Sequence, residues 1–333
     1  MATIRDVAEQ AGVSAATVSH VINGTREVSP QTIEAVRVAM RELDYTPSSV
    51  ARSLRTRRTD AVGVLISDIS NPFFASLVRG VEEAAYGRGF SVMICDSSED
   101  SARAVRAIDL FRSRGLDGYL VVPTAGGGRE LALALRASGK PFVCVDRCWP
   151  EVGADRVLSD NVGGARQATE YLVQRGHSDI GIILGIPNTT TTEERLQGYR
   201  EALQEAGIPL REDLVVWGHY VSQEAYAVTE RLLSVGSPPT AVFSTNNLMT
   251  IGALRFLVEH DIEVPGQVEV VGFDDLDWGL IVRPPLVVLV QNPYEMGLQA
   301  FGLLHRRMEE SGRTPREEYA EIRVPVKLRA DLR

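Results

Sequence analysis

The first twenty-four residues constrain the chain most, because they spell two short helices joined by a tight turn. Thr3 stands where a helix needs an N-cap, and Asp6 follows at the spacing of a capping box. Val7, Ala8 and Ala11 share one face of that helix. Gly12 supplies the turn, and Ser14 caps a second helix that runs to about Asn23 and Gly24, with Val18, Val21 and Ile22 facing inward. Ser29-Pro30 starts a third helix, whose apolar set is Ile33, Val36 and Leu43. This spacing predicts a helix-turn-helix domain over residues 1–47, with its second helix in the major groove of DNA. The competing reading is a plain helical bundle at the end of a larger protein. The outward positions of the second helix weigh against it: Ala15, Ala16, Thr17, Ser19, His20 and Asn23 are small or hydrogen-bonding, unlike the Glu/Lys mix of a solvated face. Residues 47–58 then carry Arg52, Arg55, Arg57 and Arg58 with no acid, which suits a phosphate backbone.

The remaining chain is long and acidic. Residues 1–60 hold eight arginines and seven acids, net +1, and the whole chain carries −9, so residues 61–333 carry −10. An acidic body behind a locally basic end directs which surface meets a duplex. Short apolar runs alternate with helix-period segments: Val62–Ser67, Ser91–Asp96, Tyr119–Pro123, Phe142–Asp146, Ile180–Gly185, Leu214–Trp217, Ala241–Ser244 and Val268–Phe273. This alternation predicts parallel, doubly wound α/β sheets. Two sheets of about five or six strands suit the length better than one wide sheet. Ligands of such sheets bind beyond the strand C-termini, so a cleft between two lobes is the expected site.

Thr3-Ile4-Arg5-Asp6-Val7-Ala8, Ala11-Gly12-Val13-Ser14, Thr17-Val18-Ser19, Val21-Ile22-Asn23-Gly24, Leu43-Asp44-Tyr45-Thr46-Pro47 and Val50-Ala51-Arg52-Ser53-Leu54 together resemble the lactose and galactose (LacI/GalR) repressor family of bacterial transcription regulators, from Thr3 to Arg329. The resemblance implies a fold of an N-terminal all-α helix-turn-helix domain, a hinge helix and linker at 48–60, and a periplasmic-binding-protein-like body of two doubly wound lobes. Three crossings would give an N-lobe of 61–158 and 292–321 and a C-lobe of 159–291 and 322–333. Leu77–Ala84 and Leu196–Leu203 are weakly similar to each other, as repeated lobes would require. The resemblance implies DNA contacts from Arg5, Ser14, Ala15, Ala16, Thr17, Ser19, His20 and Asn23, and from Ser49, Ala51, Leu54 and Arg55 in the hinge. Ala15, Ala16 and His20 fall where the family chooses its operator. Leu54 falls where a leucine is wedged into the minor groove, which suits an easily unstacked base step. Its other reading is an ordinary core leucine.

Phe73, Phe74, Asp146, Arg195, Tyr220, Asn246 and Asp274 match positions that line the family's effector pocket, and Thr191 joins them from the threonine loop. Carboxylates, an amide and a guanidinium suit vicinal hydroxyls, and rings suit an apolar sugar face or a base. Singly, each has a duller reading as a cap, a core ring or a surface ion pair. Two departures from the family pattern matter: Asn246-Asn247 stands where Asn-Asp is common, and Thr189 stands where the purine-binding branch has an arginine. A sugar or sugar-like effector is therefore expected, with a nucleobase or nucleoside corepressor as the alternative.

Enzyme signatures are weak. The loop Thr124-Ala125-Gly126-Gly127-Gly128-Arg129 lacks the spaced glycines of a dinucleotide loop and the Lys-Ser/Thr of a phosphate loop. No cofactor and no metal are expected, because Cys144 and Cys148 lack a nearby His or a second Cys pair. With Cys95 they read as reduced thiols. No export signal or apolar span is legible, so a cytoplasmic, nucleoid-associated protein is expected, and the free-standing solute-binding alternative is disfavoured. The partners expected are a palindromic double-stranded DNA operator, a small-molecule effector and a second copy of the chain, with no membrane. The tail from Lys327 carries no leucine heptads, so a homodimer is expected rather than a tetramer.

If Leu54 is a wedge, Leu54→Ala leaves the melting temperature nearly unchanged and lowers operator affinity and DNA bending together. If it is core, the same truncation costs about 2–5 kcal/mol of stability. Melting temperature and operator bend angle measured on one variant decide between them.

Overall fold

The computed structural model describes residues 2–24, 26–46, 58–149, 153–275, 286–310 and 319–330. The expected contacts Ser49, Ala51, Leu54 and Arg55 lie outside the described residues. The chain divides into two compact units, Met1–Thr59 and Asp60–Arg333.

The first unit contains α1 (Ile4–Gln10), α2 (Ala15–Asn23) and α3 (Pro30–Glu42). Each start is a side-chain cap. Thr3 Oγ1 accepts from the Asp6 amide while the Asp6 carboxylate accepts from the Thr3 amide at 2.7 Å, a complete capping box. Ser14 and Ser29 accept from the amides of Thr17 and Thr32. Gly24, at φ 61°, ends α2 in the left-handed region that favours glycine. Val7, Val18 and Val36 are fully buried at the centre, flanked by Ala8 and Ala39. One valine from each helix thus makes the core.

The second unit holds two six-stranded sheets. The N-lobe sheet runs in the order β2-β1-β3-β4-β5-β11, using β1 (Ala61–Ile66), β2 (Ser91–Asp96), β3 (Gly118–Val121), β4 (Phe142–Val145), β5 (Asp155–Ser159) and β11 (Glu321–Val324), all parallel. The C-lobe sheet runs β7-β6-β8-β9-β10-β12, using β6 (Ile180–Leu184), β7 (Val215–Trp217), β8 (Ala241–Ser244), β9 (Glu269–Phe273), β10 (Val287–Val290) and β12 (Lys327–Arg329). Only β12 is antiparallel to its neighbour. Strands buried along their whole length, such as β6 and β9, need helices on both faces.

The helices that matter for the site are α4 (Pro72–Tyr86), α7 (Asn161–Gln174), α8 (Thr190–Glu205), α9 (Ser222–Leu233), α10 (Asn247–Glu259) and α11 (Pro293–Glu310); α5 (Ser101–Ser113) and α6 (Gly128–Ser138) cover the far side of the N-lobe. Close helix pairs pass at glycines. A Cβ on Gly80 of α4 would strike the Tyr294 carbonyl of α11, one on Gly198 of α8 the Val162 carbonyl of α7, and one on Gly252 of α10 the Ser222 carbonyl of α9.

The chain passes between sheets after Ser159, after Val290 and after Val324. The last crossing corrects the expected boundary at 321/322. Residues 322–324 belong to the N-lobe, because Glu321–Val324 pair in register with Arg156–Ser159. Four strands were missed in the sequence. β11 carries charges at alternate positions and β5 opens on Asp155-Arg156, which hides their apolar residues, β12 is three residues long, and β10 follows Pro284-Pro285.

His177 falls in the turn after α7, where its ring nitrogens lie 2.8 Å from Thr240 Oγ1 and 2.9 Å from Glu269 Oε2. Arg175 Nε donates to the same carboxylate at 2.7 Å. Burial alone would raise the Glu269 carboxyl, but Arg175 and His177 together hold it below its ordinary value. A depressed carboxyl supplies stability that is complete above its unfolded value, about pH 4.3, and is lost as pH falls through the lower folded value. Glu269→Gln should cost about 1–3 kcal/mol at neutral pH, the penalty for unmatched buried partners. It should also flatten the acid side of a melting-temperature profile against pH.

Candidate functional site

The exposed face of α2 is the candidate nucleic-acid interface in the first unit. Ala16 is exposed, Ala15, Thr17, Ser19 and His20 are half-buried, and Arg5 is exposed on α1. Three of the expected contact residues also perform structural work. Ser14 and Thr17 form the cap of α2, with their hydroxyls 2.9 Å apart, and Asn23 Nδ2 donates to the Ser19 carbonyl at 2.6 Å. Ala15 packs against the helical core as well, while Ala16 is exposed and His20 half-buried on the same helix.

In the second unit a cavity of about 370 Å³ lies between the lobes at the C-terminal ends of the strands. All eight sequence-selected residues, Phe73, Phe74, Asp146, Thr191, Arg195, Tyr220, Asn246 and Asp274, line it. Phe73 and Phe74 meet edge to face at 5.1 Å and also pack in the N-lobe core. They are therefore both wall and core, which their adjacency in the sequence could not distinguish.

Arg195 is the central cation. Its Nε donates to Asn161 Oδ1 at 2.9 Å, its Nη1 donates to the Thr245 carbonyl, and its guanidinium carbon stands 3.8 Å over the Phe273 ring. It does not pair with Glu193 or Glu194 on a solvated helix; at 3% exposure it belongs to the interior. Asp146 and Asp274 flank the same space. Burial pushes the Asp146 carboxyl up to about 6, with Arg147 and Arg195 drawing it down and Asp274 and Glu99 pushing it further up. Burial raises Asp274 too, against Arg195 and hydrogen bonds from Gln291 and the Asn247 amide.

Sequence reading missed Arg147, Glu99, Ser67 and Gln291, which also line the cavity. Arg147 Nη1 donates to Glu99 Oε1 at 2.7 Å, and its guanidinium lies over the Tyr220 ring at 5.1 Å. Burial opposes the Arg147 charge, but Glu99, Tyr220 and Asp146 outweigh it and hold the proton more firmly than usual. Its Nε lies 3.5 Å from Asp146 Oδ2, too long for a hydrogen bond, and neither that Nε nor the buried Ser67 Oγ has a hydrogen-bond partner. Backbone strain marks the place as well. Ten described non-glycine residues have left-handed φ, and six of them (Ser98, Glu99, Asp146, His219, Tyr220 and Asp274) line this cavity. Such conformations persist where surrounding packing enforces them, commonly at ligand sites.

The Tyr220 ring lies against Gly185, where a Cβ would strike it, and its hydroxyl meets those of Thr191 at 2.9 Å and Thr192 at 2.7 Å. Thr189 Oγ1 joins this cluster and donates to the Ile186 carbonyl. Among the described residues there is no grouping of His, Cys, Asp and Glu that could hold a metal ion, and no helix long and apolar enough to cross a membrane.

Residues 3–48 match the sequence model of bacterial regulatory proteins of the lacI family, and residues 59–331 match that of periplasmic binding proteins and the sugar-binding domain of the LacI family. The chain belongs to the LacI family. Among its relatives, the HTH-type transcriptional repressor PurR of Histophilus somni is 34% identical over all of this chain and 99% of its own. The solved complex of the transcriptional regulator CelR with cellobiose is 34% identical, covers 99% of both chains and superposes with a TM-score of 0.74. The Lac repressor dimer bound to operator and the anti-inducer ONPF is 26% identical, covers 98% of this chain and 97% of its own, and superposes with a TM-score of 0.85. The family is one of DNA-binding transcriptional regulators, and the helix-turn-helix unit and two-lobed body are its two parts.

His20→Ala should relax base preference at one position per half-site, at about 1–3 kcal/mol of discrimination. Binding-site selection with both proteins checks this; identical preferences would remove His20 from base reading.

Proposed function

We propose that the protein is a homodimeric repressor of a palindromic operator, controlled by a neutral sugar or sugar-like polyol bound between its lobes. The observation that carries the effector class is the wall chemistry. Asp146 and Asp274 offer acceptors, Arg147 and Arg195 offer donors, and Ser67 and Asn246 add short polar groups, all at strand ends facing one space. Vicinal hydroxyls, each donor and acceptor at once, satisfy such a set. Asp68, Glu99, Asp146 and Asp274 against Arg147 and Arg195 leave the wall two charges negative when all are ionised, which disfavours a phosphorylated or carboxylated ligand. The likeness to the cellobiose-bound regulator supports the same reading.

The likeness to PurR repressors favours a nucleobase corepressor as the second reading. Two features weigh against it. The Tyr220 ring is crowded at its hydroxyl end by Gly185 and has the Arg147 guanidinium over it at 5.1 Å, which occupies a face that a base would stack on. Thr189 places a short hydroxyl, already bonded to Ile186, where the purine branch has an arginine. The operator-bound dimer among the similar structures supports the assembly, and placement in the cytoplasm follows from work on DNA.

Thermal-shift measurements on the full chain with ribose, cellobiose, hypoxanthine and guanine test the class. A sugar present at one hundred times its dissociation constant should add about 2.7 kcal/mol of stability. Stabilisation by a nucleobase and by no sugar would reverse the assignment. A hydroxyl donating to Asp146 favours its ionised form, so binding releases a proton below pH 6. Affinity for the active sugar should rise with pH by up to about tenfold per unit below 6, then level off. Titration calorimetry at several pH values should show Asp146→Asn without that slope. Arg195→Ala should cost about 2–5 kcal/mol of effector binding and abolish the response while leaving effector-free operator binding intact.

A further inference from the structure

Asp274 is tied to both lobes through its two oxygens. Oδ1 accepts from Gln291 Nε2, and Gln291 Oε1 accepts in turn from Ser159 Oγ, which joins the second chain crossing to the first. Oδ2 accepts from the Asn247 backbone amide at 3.3 Å. The Asn247 side chain then reaches into the other lobe, where its Nδ2 donates to Asn71 Oδ1 at 2.8 Å. Asn71 Oδ1 also accepts from the Phe73 amide at 3.0 Å and so caps α4. Asn71 is 7% exposed and Asn247 is 2% exposed.

We propose that the Asn71–Asn247 hydrogen bond is an interlobe clasp that sets the lobe arrangement of the effector-free protein and carries engagement of Asp274 into the operator-binding state. The inference rests on the regulator reading and not on the effector class. Three features single this contact out. It spans two first turns of helices, α4 and α10, that each follow a strand ending in the cavity wall. It is one residue's side chain away from a wall carboxylate, whereas the interlobe ion pair of Arg323 with Glu194 at 2.8 Å sits on β11 beside the third crossing, where rotation displaces atoms least, and the Cys148 amide to Thr190 Oγ1 and the Arg147 guanidinium over Tyr220 join the lobes without touching Asp274. It is also neutral. A carboxylate at 247 would face Asn71 Oδ1 with an acceptor and place another acid beside Asp274, so the amide is what allows the lobes to meet there. Parting them leaves a buried donor and acceptor unmatched until water enters.

Two variants of the full chain test this, with an operator recovered by selection from random duplexes using the wild-type protein. Asn71→Ser keeps an N-cap but is too short to reach Asn247. Asn247→Leu removes the donor and keeps the branching of the side chain, in a bulkier group. Each should shift effector-free operator affinity by fivefold or more, in the same direction, and the double variant should shift it no further than the larger single one. Wild-type affinity in a folded variant, or additive shifts, would overturn the clasp. Should Asn247→Leu fail to fold, Asn71→Ser decides alone. Hydrogen exchange should then quicken at the first turn of α10 while the Phe73 amide stays protected, and unchanged exchange and affinity would refute the proposal. No small molecule enters these measurements, so failure of the sugar assignment leaves them standing. Failure of the wild-type chain to select any operator would instead overturn the regulator reading.

Discussion

The placement of Arg195 is the interaction on which the rest of the cavity depends. A guanidinium removed from water is tolerable only if its donors are matched and its charge is opposed. Asn161 and the Thr245 carbonyl match two donors, the Phe273 ring supports the flat face, and Asp146 and Asp274 oppose the charge. The arrangement runs both ways. Without Arg195, Asp274 would lose the charge that opposes its burial and Asp146 would keep only Arg147, with Glu99 as a third acid nearby, so protonation would become easier for both. With it, they remain able to ionise and to accept from ligand hydroxyls. The Glu99–Arg147 pair repeats the device on the N-lobe side.

Parallel topology makes this convergence possible. Every strand neighbouring the cleft delivers the residues after its C-terminal end to one side of its sheet, so eight loops meet at the cavity without any long excursion of chain. The cost is conformational. The chain must turn sharply beyond the strand end, and at Asp146, Tyr220 and Asp274 it does so through left-handed backbone at residues with a Cβ. A glycine there would remove the strain together with the functional side chain.

The sequence made the first unit almost fully legible, because caps and apolar periodicity are local and Thr3, Ser14, Ser29 and Gly24 act within their own turns. It made the central strands legible for a related reason: β6, β8 and β9 are buried on both faces and read as largely apolar runs, interrupted only by Glu269 and Ser244 at strand ends. The edge and returning strands were hidden. Glu321 and Arg323 pair with Arg156 and Glu194 across elements that the sequence gives no means to bring together. Seven of the eight cavity residues selected were those with a family counterpart, and Thr191 came from the threonine loop. Arg147 lies beside Asp146 in the sequence and still escaped, since its partner Glu99 is forty-eight residues away and Tyr220 belongs to the other lobe.

The same nonlocality bears on how an effector can act. A ligand shifts an equilibrium between lobe arrangements only by the difference in its affinity for them. Contacts confined to one lobe contribute little to that difference. Asp146 and Arg147 belong to the N-lobe, Arg195, Asn246 and Asp274 to the C-lobe, so a ligand that spans them is sensitive to the angle between the sheets. Asp274 has a further property. Its oxygens are already engaged by Gln291 at one crossing and by the amide of Asn247, so a ligand hydroxyl there joins a network that already reaches both lobes. A coupling of about 1–3 kcal/mol, the usual range for allosteric regulators, amounts to the gain or loss of one or two such buried hydrogen bonds. The regulation therefore requires no large rearrangement of either core, only a change in which polar groups face each other across the cleft.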